Sequence, residues 1–251
     1  MESRNYIRIL DRKGKEQMKN IPIVVLNKDR LHPLQLLIES LHSRGYDNIT
    51  IIDNQSTYEP LLKWYEESGV HVFHNTIPET LYDTGTFYRL AVQLNHSPFN
   101  DIVKGHYVFT DSDVVPDVSV PENFIDDMIE VLTEFNVHKV GFGLKLSDLP
   151  PGPRTDQVIA MERSFWDTKI PHSKYELFNA PIDTTFAVYG PGNPPLWAHG
   201  IRMGGDYIAQ HMPWYYDIDK LPDDELYYIQ NLQPNRGPTY SMQVKQQLIG
   251  I

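Results

Sequence analysis

The strands of this chain announce themselves as continuous apolar runs rather than as alternating patterns. Ile21-Pro22-Ile23-Val24-Val25-Leu26 is one such run, the signature of a central strand covered on both faces. It stops at a polar loop, Asn27 to Arg30. From Pro33 to Ser43, Leu34, Leu37, Ile38 and Leu41 recur at helical spacing, with the proline near the start, where its missing N–H costs nothing. Gly45 ends that helix. Ile49 to Ile52 reads as the next strand, Asp53 to Thr57 as the loop after it, Leu61 to Ser68 as a second helix and Val70 to Phe73 as a third strand. A β-α-β-α-β series with short connections predicts an α/β sandwich: a mostly parallel central sheet flanked by helices.

The pattern continues less regularly. Thr84-Gly85-Thr86 precedes an apolar-periodic segment, Phe87 to Leu94. Tyr107 to Phe109 predicts a buried strand that ends in Asp111-Ser112-Asp113, and Pro116 blocks further laddering. A helix is expected from Pro121 to Glu134 and a strand from Val140 to Leu144. Leu149 to Pro153 reads as a loop, and Met161 to Asn179 has no clean period. Thr184 to Tyr189 predicts a strand, followed by a Gly/Pro turn from Gly190 to Pro195. Ile201 to Met203 and Tyr207 to Pro213 then lead into Trp214-Tyr215-Tyr216. The division expected is an extension over 1–20, one domain over 21–216 and a polar C-terminal tail over 217–251.

Composition narrows the function. With 251 residues, 41% of them hydrophobic, the chain can bury a full core. A net charge of −11 argues against a nucleic-acid surface, which needs clustered Lys and Arg. An anionic ligand must therefore be held locally, by a metal or a few arginines. No apolar run approaches the ~20 residues of a transmembrane helix. The N-terminus, with Arg4, Arg8, Arg12, Lys13, Lys15 and Lys19, lacks the apolar region of a secretory signal. The absence of cysteine excludes disulfides, thiolate zinc sites and Cys nucleophiles; it fits a reducing compartment, and a cytoplasmic location is expected.

In open parallel sheets ligands collect outside the carboxyl ends of the strands. Asp111 and Asp113, at a fraying strand end where the chain can turn, can share a hard cation, Mg²⁺ or Mn²⁺; the alternative is an acidic turn. Asp53 can accept from a base imide N–H or serve as a turn residue, and Arg30 offers a fork for phosphate or sugar. Gly85 and Arg89 either bring backbone and guanidinium to a nucleotide or only start a helix and form a surface pair.

Taken in order, Ile21-Pro-Ile-Val-Val-Leu-Asn27, Ile51-Ile-Asp53-Asn-x-Ser56 and Phe109-Thr-Asp111-Ser-Asp113 resemble the GT-A fold of nucleotide-sugar glycosyltransferases, particularly the inverting family 2-like group. The resemblance covers about Ile21 to Leu144 and continues more loosely to Tyr216. It implies a nucleotide-sugar half over about 21–144 and an acceptor half over about 145–216. It further implies a UDP- or GDP-sugar donor lying along Asn27, Arg30, Asp53, Gly85, Arg89, Asp111 and Ser112, with Asp111 and Asp113 holding Mn²⁺ or Mg²⁺ on the diphosphate. The acceptor implied is a glycan or a lipid-linked hydroxyl, without nucleic acid, and peripheral membrane contact is compatible with it. His211 resembles the C-terminal histidine that completes the metal sphere in many such enzymes, with His199 as a second candidate. The Glu-Asp pair and Gln-x-x-Arg-Trp segment usual in the family are missing. Asp183, at the mouth of a strand, is the candidate base, with Asp206, Asp148 and Glu162 as alternatives. Trp166, Trp197, Trp214 and Tyr215 are candidates for a sugar platform. Two other readings stay open: a sugar-phosphate nucleotidyltransferase, although the Asn27–Arg30 loop lacks the glycines of that class, and a catalytically idle nucleotide-sugar-binding module.

Overall fold

The computed structural model describes residues 9–10, 16–75, 101–193, 195, 198–232 and 240–249. A short ribbon of β1 (Ile9–Leu10) and β2 (Glu16–Gln17) precedes the body. The first apolar runs become β3 (Ile23–Asn27), β4 (Ile49–Asp53), β5 (His71–His74) and β6 (Tyr107–Asp111). They lie side by side in the order β5-β4-β3-β6, all parallel. Pro22, which has no N–H to donate, stands just outside β3.

The runs are continuous because both faces of these strands are covered. Successive side chains point to opposite faces. Ile23, Val25, Ile51 and Val108 join the main core, with Leu34, Leu37 and Leu41 of α1 (His32–Ser43). Val24, Ile52, Tyr107 and Phe109 belong to a second cluster, with Ile182, Ala187 and Tyr189. The helix α2 (Glu59–Ser68) adds Leu61 and Tyr65 to the main core, and α3 (Phe124–Phe135) adds Phe124, Ile125, Met128, Val131 and Leu132.

Beyond β6 the chain turns into β7 (Val114–Pro116) and, after α3, enters β8 (Lys139–Leu144), α4 (Pro153–Arg163), β9 (Lys169–Ile170), β10 (Leu177–Ile182), β11 (Ala187–Tyr189) and β12 (Ala198–His211). β11 is inserted between β6 and β8 and runs antiparallel to both. β12 pairs parallel with β8 and antiparallel with β10 and β7. The fold is α/β with a mixed central sheet, its parallel pairing confined to the first four strands and the β8–β12 pair. Two expectations shift accordingly. The strand expected from Thr184 begins only at Ala187, because the residues before it turn back toward Asp111. β10 and β12 lack a readable period; β12 is bulged between Met203 and Ile208, where Gly205 takes φ +64°, and a bulge breaks the alternation of faces.

The stretch expected to be a tail forms two further helices, α5 (Asp223–Asn231) and α6 (Tyr240–Ile249). Tyr228, Ile229, Leu232 and Val244 give them an apolar cluster of their own. Among the described residues no helix is long and apolar enough to cross a membrane.

Candidate functional site

Register alone aligns the first set of candidates. Leu26 pairs opposite Asp111, Asn27 opposite Asp53, and Asp53 opposite His74. Asn27, Asp53 and Asp111 therefore end neighbouring strands at one carboxyl edge. Asp53 is 2% exposed. It accepts hydrogen bonds from the Ser56 N–H (3.1 Å) and the Tyr65 hydroxyl (3.1 Å), with His74 Nδ1 at 3.4 Å. Asn27 Nδ2 donates to the same Tyr65 oxygen at 2.8 Å, while Asn27 Oδ1 is buried without a hydrogen-bond partner. A carboxylate offers about four acceptor positions, so Asp53 keeps room for about one more donor. Asp29, which the sequence reading passed over, stitches the two loops together. It sits at φ 54°, its Oδ1 accepts from the N–H groups of Thr57 (2.6 Å) and Tyr58 (3.0 Å) at the start of α2, and its own N–H donates to Ser56 Oγ (2.9 Å).

Asp111 and Asp113 sit on either side of the turn between β6 and β7. The Thr184 hydroxyl donates to Asp111 Oδ2, and the Asp111 N–H donates to the Thr184 carbonyl at 2.8 Å. The Ser112 N–H is taken by the Leu26 carbonyl at 2.9 Å, which fixes the turn against β3. Burial, and then the neighbouring Asp113 carboxylate, push the Asp111 carboxyl well above the usual range; the Thr184 bond opposes them. Asp113 is 3% exposed. Its Oδ2 faces Arg30 Nη1 at 2.8 Å and His211 Nε2 at 3.6 Å, and its Oδ1 is buried with no hydrogen-bond partner.

His211 reaches this corner because β12 pairs with β7, setting His211 opposite Val114. The Met212 N–H then donates to the Asp113 carbonyl at 2.9 Å, and the Trp214 ring packs 4.6 Å from the imidazole. Burial holds the imidazole below its ordinary pKa, hence neutral, although Asp113 pulls the other way. Its Nδ1 is also buried and without a hydrogen-bond partner. Among the described residues, no three His, Cys, Asp or Glu side chains form a ready-made metal cage. What the chain offers is an open pair, Asp113 and His211, beside Asp111. The donor set fits a divalent cation whose remaining positions come from a ligand: an Asp113 carboxylate oxygen lacking a donor, an imidazole that burial holds below its ordinary pKa, and the Asp111 carboxyl, whose charge a bound cation would stabilise. Imidazole favours Mn²⁺ over Mg²⁺.

Arg30 lies at the centre of the site. Its Nε and Nη2 bind the two carboxylate oxygens of Glu225 at 2.7 and 3.0 Å, Nη1 binds Asp113, and Nη2 reaches Ser241 Oγ at 3.3 Å. The Tyr228 ring lies 3.9 Å from the guanidinium carbon. Burial works against this charge, but Glu225 and Asp113 more than offset it, and the guanidinium is held firmly protonated. Asp224 Oδ2 accepts from the N–H groups of Leu31 (2.8 Å) and His32 (2.6 Å) at the start of α1.

Asp183 follows β10 and precedes the Thr184 that binds Asp111. Its carboxylate accepts from the Thr184 N–H, while the protein packed behind it raises its pKa above the ordinary value despite an exposed outer face. Two buried cations hold the strand just before it. Lys139 Nζ donates to the Ile182 carbonyl at 2.6 Å, and Arg202 Nε to the Pro181 carbonyl at 2.9 Å. The other candidate bases are engaged elsewhere or turned outward. Glu162 is buried against Arg202 at 2.9 Å, and Asp148 pairs with Lys145 at 2.8 Å and the Tyr215 hydroxyl at 2.9 Å. Asp206 is exposed on the β12 bulge. His199 is likewise exposed, away from the Asp113 contact. The aromatic candidates do not assemble: Trp214 lies in the main core, Trp166 packs edge-on to Phe178, and Tyr215 turns to Asp148. Gly85, Arg89 and Trp197 lie outside the described residues.

Two open concavities lie elsewhere, one along α1 and Trp64 and one at the amino ends of β3 to β5, and neither includes Asp53, Asp111, Asp113 or Asp183. No protein-family profile matches the chain, and no curated protein does. Among solved structures, it is similar to a Bacillus anthracis protein provisionally named a glucose-1-phosphate thymidylyltransferase, crystallised with sucrose. The identity is 12% and the TM-score 0.33, over 91% of this chain and 82% of that one. At that distance neither ligand nor activity carries across.

Proposed function

We propose that the chain is a metal-dependent glycosyltransferase of GT-A type that moves a sugar from a nucleoside diphosphate-sugar to an acceptor hydroxyl with inversion. The observation that carries this reading is the Asp113–His211 corner. Asp113 Oδ1 and a neutral His211, both short of partners, lie beside Asp111 at the same sheet edge as Asn27 and Asp53. Leaving buried polar atoms unpaired costs roughly 1–3 kcal/mol each, a cost a bound ligand removes.

Asp113, Asp111 and His211 would hold Mn²⁺ or Mg²⁺, which when bound neutralises the diphosphate and the charge that develops on it as it departs. Asp53 and Asn27 accept from and orient the base, and Arg30 faces the phosphates. Asp183 is the proton acceptor: as the acceptor oxygen bonds to the anomeric carbon and the bond to phosphate breaks, the hydroxyl proton passes to its carboxylate. A raised pKa suits that role, because a general base works best when its pKa lies near the working pH. The Thr184 contact to Asp111 would keep base and metal pair in fixed relation. Donor, acceptor and any contact with a membrane surface belong to this proposal.

The direct test is a panel of UDP- and GDP-sugars with Mn²⁺, read by release of free nucleoside diphosphate. Metal-dependent release supports the reading. Release of pyrophosphate from a nucleoside triphosphate and a sugar phosphate, without turnover of nucleotide-sugars, would replace it with nucleotidyl transfer. Binding without turnover would leave a binding module.

A further inference from the structure

The helices α5 and α6 are attached to the body in a different way from everything else. Tyr228, Ile229, Leu232 and Val244 form an apolar cluster apart from the main core, joined by Ile218 and Leu221 just before α5, and Tyr240 of α6 also touches the main core. The links from α5 to the body are mostly polar and fall on the two loops that the proposed function gives to the donor. Tyr227 shares a hydrogen bond with Thr57 Oγ1 at 3.0 Å and sets its ring 5.1 Å from Tyr58, on the loop after β4. Asp224 and Glu225 take the loop after β3.

Those two adjacent carboxylates fill two adjacent anion positions. Asp224 caps the first N–H groups of α1, where a helix presents unsatisfied donors and the positive end of its dipole. Glu225 lies side-on in the guanidinium fork of Arg30, the two-point geometry that phosphate also adopts. Each is almost wholly buried, at 4% and 2% exposure.

We propose that α5 is a strap whose Asp224–Glu225 pair mimics a diphosphate, and that a diphosphate-bearing ligand enters by displacing it from the α1 N-terminus and Arg30. The exchange leaves every strong group satisfied. Arg30 keeps Asp113 on Nη1 and takes phosphate oxygens in place of Glu225, while the freed carboxylates go to water. The separate apolar cluster lets α5 and α6 stay folded together as the strap lifts. Affinity for the ligand is then lowered by the fraction of molecules in which the strap is closed. The identity of the ligand as a nucleoside diphosphate rests on the glycosyltransferase reading; the strap itself does not.

The chain contains no cysteine, so the strap can be pinned in the full-length protein. Thr57→Cys with Tyr227→Cys, joined by a short cleavable thiol crosslinker, ties α5 to the loop after β4, and cleavage releases it in the same sample. Each state is titrated with Mn²⁺–UDP and with Mn²⁺–pyrophosphate, and Glu225→Gln is titrated alongside. The expected result is binding at least about tenfold weaker in the tied state, restored on cleavage, with Glu225→Gln about tenfold tighter than the unaltered chain. Equal affinity in tied and released states overturns the strap and leaves the donor reading standing. Release-dependent binding of pyrophosphate without UDP supports the strap and sinks the nucleotide. Glu225→Gln binding more weakly than the parent makes Glu225 a strut and overturns the proposal.

Discussion

Two buried cations stand beside the candidate residues, Arg30 against Asp113 and Lys139 against the strand that precedes Asp183, and they are held in opposite ways. Arg30 lies between two carboxylates from different parts of the chain, Asp113 and Glu225, over the Tyr228 ring. Its charge is strengthened by its partners. Lys139, 1% exposed at the start of β8, donates to a neutral carbonyl, and burial pulls its amine down from 10.5 to about 8, with Asp183 only partly opposing. The difference assigns them different work. Arg30 is a permanent counter-charge that joins Asp113 to Glu225 of α5. Lys139 is a conditional charge that steadies the strand leading to Asp183 and makes that corner sensitive to pH.

The comparison can be broken first at Arg30. Arg30→Ala strands Asp113 and Glu225 as buried, uncompensated charges, and we expect a loss of about 3–5 kcal/mol in denaturant unfolding. A loss below about 1 kcal/mol, the range of surface pairs, would mean the pair is solvated.

At Lys139 the expected effect is a slope. An amine titrating near 8 in the fold and near 10.5 in the unfolded chain binds more protons when unfolded across that window. Stability should therefore rise with pH between about 8 and 10.5, by roughly 3 kcal/mol in total from this group. The same gain is lost as pH falls from about 10.5 to about 8, and below that window this group adds no slope. Lys139→Met removes the slope; an unchanged pH profile of unfolding in that variant would show that Lys139 titrates as an ordinary lysine.

How much of this was legible follows the same division. The Arg30–Asp113 side was foreshadowed because polar loops ending apolar runs mark a sheet edge, and parallel register then aligns Asn27, Asp53 and Asp111 without further information. His211 stood out through its aromatic neighbours and its resemblance to the family's C-terminal histidine, but not through any spacing to Asp113; the pairing of β12 with β7 that delivers it is a contact across nearly a hundred residues. Glu225 went unread although Pro222-Asp-Asp-Glu is a helix-start signature, with acidic residues in the first turn. The polar surface of α5 hid its attachment, since that attachment is itself polar. Lys139 and Arg202 were invisible for a related reason: sequence does not say that a charge is buried when its partner is a backbone carbonyl, as for Lys139, or a carboxylate forty residues away, as Glu162 is for Arg202.

Smaller effects sharpen the two corners separately. Asp183→Asn keeps an oxygen to accept from the Thr184 N–H but cannot take a proton. Turnover should fall by at least ~10²-fold, about 2.7 kcal/mol of barrier, with donor affinity nearly intact. A normal rate would move the base elsewhere, and Asp206 would be the next residue to change. His211→Ala should weaken Mn²⁺ binding by about tenfold, about 1.4 kcal/mol, the lower end of what losing a tuned site partner costs. Thermal stability should move less than affinity; the reverse would make His211 a packing residue against Trp214.

The central claim is that Asp113 and its neighbours hold a divalent cation on a nucleoside diphosphate. Calorimetric titration of UDP and GDP into the full-length protein, with Mn²⁺ and with a chelator, tests it most directly when repeated on Asp113→Ala with its fold checked by circular dichroism. The account predicts binding of at least one nucleotide that requires Mn²⁺ and disappears in the folded variant. Binding that survives the chelator, or is unchanged in Asp113→Ala, would contradict it.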